Sequence, residues 1–77
     1  MKIKFHRNAE KYLESLPLKQ RARILKAIYK LPQGDVATLQ GKKGEYRLRV
    51  GSWRVLWVYQ DFGILITEID VRGSIYK

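Results

Sequence analysis

Apolar and polar residues alternate with period two at both ends of the chain and recur with helical spacing between them. Ile3 and Phe5, set between Lys2, Lys4 and His6, predict a short first strand. Asn8 stands at the N-cap position of a helix carrying Ala9, Tyr12, Leu13 and Leu16. Pro17 fits the first turn of a second helix, where its missing N–H costs little. In that helix Ala22, Leu25, Ile28 and Leu31 form an apolar stripe, while Lys19, Arg23, Lys26 and Lys30 form a basic one. The two helices are expected to make an αα-hairpin. Pro32-Gln33-Gly34-Asp35 ends the second, and the stretch to Gly44 reads as a long connection of the kind that often carries function.

The last third reads as strand throughout. Gly51-Ser52 suits a two-residue II′ turn, which sets Val50 opposite Trp53 and Arg49 opposite Arg54. Asp61-Phe62-Gly63 reads as a three-residue hairpin loop with positive φ at Gly63, placing Gln60 opposite Ile64, Leu56 opposite Glu68 and Arg54 opposite Asp70. On one face fall Arg47, Arg49, Arg54 and Arg72, with Tyr76 if the tail stays extended. The other face collects Tyr46, Leu48, Val50, Trp53, Val55, Trp57, Tyr59, Leu65, Ile69 and Val71, apolar enough to meet the helices. No repeat or linker interrupts the pattern, so the order β-α-α-β-β-β describes one α+β domain over residues 1–77, its sheet mainly antiparallel.

The arginine face needs a reason to exist. Like charges directly opposed in a sheet cost roughly 0.2–1 kcal/mol per pair, so stability alone does not favour them, and an anion is expected there. Charge narrows the partner: 16 Lys+Arg against 7 Asp+Glu give a net charge of +9, the footprint of a protein that meets phosphate backbones. With no cysteine and one histidine, thiolate zinc sites and disulfides are excluded, and neither a metal nor another cofactor is expected. No apolar stretch approaches the ~18 residues of a membrane span, and Met1-Lys2-Ile3-Lys4-Phe5 alternates rather than forming a signal-peptide core. These features point to a cytoplasmic protein with no membrane partner.

Two segments then carry a resemblance. Tyr46-Arg47-Leu48-Arg49-Val50-Gly51-Ser52-Trp53-Arg54-Val55-Leu56, followed by Ile69-Asp70-Val71-Arg72-Gly73-Ser74-Ile75-Tyr76-Lys77, resembles the RelE/ParE superfamily of toxins from type II toxin–antitoxin modules, and the helical hairpin ahead of them matches too. The resemblance implies a small sheet with two helices on one side. It also implies, in the RelE branch, a ribosome-dependent endoribonuclease that acts on mRNA and is inhibited by a cognate antitoxin. Carried over by residue, the family's strand-borne basic residues match Arg47 and Arg49, its phosphate-gripping arginine matches Arg54, and its C-terminal Arg and Tyr match Arg72 and Tyr76. The chain departs from the best-studied RelE-type pattern in having arginine where that pattern has lysine, at 47 and 49. Arginine stays protonated, so these two are read as clamps on the scissile phosphate and stabilisers of transition-state charge. Tyr76 is the candidate for proton transfer, with Glu68 as a second candidate base.

Other residues are weighed the same way. Asp70 is read as the structural partner of Arg54, His6 as a surface histidine, and Trp53 and Trp57 as core rather than base-stacking platforms. Lys42 and Lys43 ahead of the arginine hairpin, with Arg23, Lys26 and Lys30 on the second helix, are candidate RNA contacts; the alternative for the helical stripe is a solvated face. Leu56, Val58, Ile64 and Ile66 fall at the far end of the arginine face without evident cover, a candidate antitoxin-binding patch. Two competing functions remain at this level: a ParE-like inhibitor of DNA gyrase, and a non-catalytic RNA- or ribosome-binding module.

Overall fold

A computed structural model describes residues 2–39, 41 and 43–71, the numbering used throughout. Strand β1 (Lys2–Phe5) leads into helices α1 (Arg7–Glu14) and α2 (Leu18–Ile28), followed by β2 (Val36–Thr38), β3 (Glu45–Val50), β4 (Trp53–Gln60) and β5 (Gly63–Val71). The strands form one sheet in the order β1-β5-β4-β3-β2, antiparallel except where β1 runs parallel to β5. The α+β architecture read from the sequence is therefore present, with one strand more than expected. The stretch after Gly34 is not all loop: Val36–Thr38 pairs with Leu48–Tyr46 and forms the edge beside β3.

The helices open differently from the sequence expectation. His6, not Asn8, caps α1: its Nδ1 accepts the Asn8 backbone N–H at 3.1 Å, leaving Asn8 inside the first turn. Pro17 precedes α2 as its N-cap. Ile24, Ile28 and Leu31 are the buried side chains of this region, and Ala22 is exposed, so the core-facing stripe is rotated from the one expected. The β-branched Ile24 brings a larger apolar surface to the core than Ala22, and burial of such a side chain is worth about 1.5–3 kcal/mol.

The helix-covered face of the sheet supplies Leu48, Val50, Val55, Trp57, Ile64, Ile66 and Ile69 to the core, joined by Ala9 and Leu13 from α1. Trp57 stacks on Tyr46 at 4.7 Å between ring centroids and meets Tyr59 edge-on at 5.1 Å. Gly51 alone of the turn pair takes positive φ, +59°, the II′ pattern, and the expected pairs Val50–Trp53 and Arg49–Arg54 follow.

The β4–β5 register differs from the expectation at its tip. Gln60 pairs with Gly63, not Ile64, so the loop has two residues, Asp61 and Phe62. The register then shifts between Leu56 and Trp57, and Thr67 is the extra residue of a β-bulge. Gly63 makes the tight tip possible: its φ is +143°, and a Cβ there would collide with the backbone carbonyl of Lys2 on β1. Beyond the bulge the expected pairs Leu56–Glu68 and Arg54–Asp70 are present. Before it, every β5 residue has changed face. Ile64 and Ile66 are fully buried in the core, which removes them from the exposed patch expected of them, and Leu65, expected in the core, stands opposite Val58 on the arginine face.

Candidate functional site: the arginine face and its flanking cleft

The open face of the sheet, away from the helices, is organised by alternation. On β3 it carries Arg47 and Arg49 between the core residues Leu48 and Val50; on β4 it carries Arg54, Leu56 and Val58 between Val55 and Trp57. Arg49 lies directly opposite Arg54, and Arg47 opposite Leu56. Arg47 and Arg54 are therefore diagonal neighbours, with backbones about 7–8 Å apart. The three guanidinium groups expected to share a face do share it.

Their counter-ions are unequal. Arg54 Nη2 lies 3.6 Å from Asp70 Oδ2, in a pair whose side chains are both about three-quarters covered, as expected for Asp70. Arg49 Nε lies 3.7 Å from Asp35 Oδ2, and its backbone N–H donates to the Asp35 carbonyl at 3.0 Å. The Asp35 pair escaped the sequence reading because it depends on β2, whose pairing brings residues 34–36 alongside β3. Arg47 has no ion pair among the described residues, and its buried Nη1 has no hydrogen-bond acceptor there; within the Arg54–Asp70 pair, Arg54 Nε likewise lacks an acceptor and Asp70 Oδ1 lacks a donor. Leaving such groups unsatisfied costs about 1–3 kcal/mol each. Arg47 is thus the arginine of the patch left without a carboxylate, and an anion placed there would satisfy its buried Nη1.

Glu68 is exposed on this face opposite Leu56, in the position from which it was named as a candidate base. Arg72 and Tyr76, the other two candidates for catalysis, lie outside the described residues, as does Lys42. Lys43 is exposed in the loop before β3, at the end of that strand remote from Arg49. The expected apolar patch is smaller and differently composed: Leu56 and Val58 are half-buried on the open face and Leu65 replaces the two isoleucines.

The basic stripe of α2 is exposed along its length, and part of it borders a cleft. Arg23, Lys26 and Lys30 form one wall of a cleft of about 350 Å³ whose other side includes Gly34, Asp35, Leu48, Arg49 and Val50. The Arg23 guanidinium lies above the Trp53 ring, 5.9 Å from its centroid. It also closes on Gly51, where a Cβ would stand 3.0 Å from Nη2. No group of three or more potential metal ligands occurs among the described residues, and no helix among them is long and apolar enough to cross a membrane.

The fold has clear relatives. The chain superposes on the toxin–antitoxin structure of RelB–RelE from Methanococcus jannaschii with a TM-score of 0.76 and 25% identity, covering 94% of this chain and 93% of that one. The RelE–RelB complex of Pyrococcus horikoshii gives 0.73 and 29% identity, with 94% of each chain covered. The isolated RelE toxin of E. coli gives 0.74 at 17% identity, covering 96% of this chain and 88% of that one. No family model matches the sequence, and no curated protein does either. The chain is thus a RelE-fold protein, similar over more than nine-tenths of its length to RelE toxins.

Proposed function

We propose that this protein is the toxin of a type II toxin–antitoxin pair and that it cleaves mRNA on the ribosome. The observation that carries the reading is the placement of Arg47, Arg49 and Arg54 on one open sheet face with carboxylate partners for only two of them among the described residues, in a fold similar to RelE toxins. Three guanidinium groups suit a phosphodiester whose equatorial oxygens gain charge on the way to a five-coordinate transition state.

The reaction needs no metal. The ribose 2′-oxygen attacks the adjacent phosphorus, the P–O5′ bond breaks, and the products are a 2′,3′-cyclic phosphate and a 5′-hydroxyl. Arg47, Arg49 and Arg54 hold the phosphate and its developing charge; Tyr76, as its phenolate, accepts the 2′-OH proton, with the Glu68 carboxylate as the alternative acceptor, the departing 5′-oxygen takes up a proton from water, and Arg72 adds a further cation. The site has strong clamps and weak bases, so it gains most from a ribosome that holds the 2′-OH in line for attack. The partner in the resting cell is a cognate antitoxin. The relatives from M. jannaschii and P. horikoshii were crystallised with RelB, and Leu56 and Val58 beside the arginines offer a mixed apolar and cationic surface to such a chain.

Primer extension on a translated message after induction of the protein tests the reading. Discrete breaks within the translated region are expected; intact mRNA accompanied by DNA damage would instead identify a gyrase poison.

A further inference from the structure

The cleft between α2 and β3 differs in character from the arginine face it adjoins. Its floor is apolar, formed by Ala27, Leu48 and Val50, and its rim is cationic, formed by Arg23, Lys26 and Lys30. Gly34 lets this wall pack closely on the floor: its φ is +122°, and a Cβ there would lie only 3.1 Å from Leu48 Cδ1. Asp35 and Arg49 stand together where the cleft meets the sheet. A volume of about 350 Å³ is at the small end of the ~300–1,000 Å³ typical of ligand sites.

Taking the proposed function as its basis, we infer that this cleft seats a single nucleotide of the RNA strand, adjacent to the phosphate held on the arginine face. Arg49 belongs to both places, so a strand whose phosphate reaches Arg49 leads its next nucleotide into the cleft. The apolar floor accepts a base, and the Arg23 guanidinium offers a planar cation against which a base stacks, a common element of single-stranded RNA recognition. Lys26 and Lys30 meet the following phosphate. Asp35 makes the site selective: its carboxylate accepts hydrogen bonds only, and so favours a base presenting an amino group, such as cytosine through N4, over uracil, which presents a carbonyl at that position. The apolar floor and the Arg23 guanidinium favour a flat base over the side chains of an acidic peptide, the other class of ligand that a basic rim would attract.

The test uses the full chain and short RNAs methylated at every 2′-oxygen, which bind but lack the hydroxyl needed for cleavage. The methyl resonances of Ala27, Leu48 and Val50 should shift on titration. A cytidine-containing trinucleotide should bind about fivefold or more tightly than its uridine counterpart, and that preference should vanish in Asp35→Asn. The pair Lys26→Ala and Lys30→Ala should weaken binding several-fold more than Arg7→Ala with Lys11→Ala, which removes the same charge from exposed sites on α1. Equal weakening by the two pairs, unmoved methyl resonances, a free cytidine monophosphate binding as tightly as the RNA, or a glutamate-rich peptide displacing the RNA from the cleft would each overturn the assignment. Because neither ribosome nor cleavage enters these measurements, their failure is separable from failure of the nuclease reading.

Discussion

Ile66 and Glu68 are two residues apart on the same strand yet lie on opposite faces of the sheet. Ile66 pairs with Trp57 and is fully buried; Glu68 pairs with Leu56 and is exposed among the arginines. The bulge at Thr67 produces the reversal, and the Thr67 hydroxyl donates to the Leu56 carbonyl at 3.1 Å across it. One extra residue thus lets β5 give isoleucines to the core at one end and acids to the arginine face at the other.

The bulge assigns neighbouring residues opposite energetic roles. Ile66→Ala should cost about 2–5 kcal/mol of stability, as expected for a truncated core side chain, whereas Leu65→Ala on the half-covered open face should cost markedly less. Chemical denaturation of the two variants checks the difference. Equal losses would mean that the register before the bulge is the one the alternation alone predicts.

Removing Arg54 separates chemistry from structure. Arg54→Ala should abolish growth arrest while changing stability by no more than about 1 kcal/mol: the pair with Asp70 is lost, but so is the repulsion of Arg49 directly opposite. Thermal unfolding alongside a toxicity assay measures both. A loss of about 3 kcal/mol or more would make the Arg54–Asp70 pair a structural element.

The departure from the lysine pattern is tested at Arg49 and Tyr76. Tyr76→Phe should slow the chemical step severely while leaving ribosome affinity nearly unchanged, because only a hydroxyl is lost. Arg49→Lys should be tolerated or raise activity, since lysine keeps the charge beside Asp35 and is able to release a proton. Single-turnover cleavage on a programmed ribosome reports both; a Tyr76→Phe variant at the full rate would move the proton-transfer role to Glu68.

The arginine face was legible because its two determinants are local. Gly51-Ser52 fixes the hairpin register, and alternation then places Arg47, Arg49 and Arg54 together. The apolar patch was misread because Ile64-Leu65-Ile66 supplies an aliphatic side chain to the core in either register, so alternation cannot choose between them. The choice rests on Gly63, whose missing side chain admits the Lys2 carbonyl from a strand some 60 positions earlier. The Asp35–Arg49 pair was hidden for a similar reason: Val36–Thr38 is too short for its strand character to show before it pairs with β3.

The most direct measurement of the central claim is the rate at which the purified protein cuts one message, free in solution and positioned on a programmed ribosome. Breaks within the translated region of the ribosome-bound message and an essentially intact free RNA are expected. Equal cutting of the two, or no cutting of either by a folded protein, would contradict that claim.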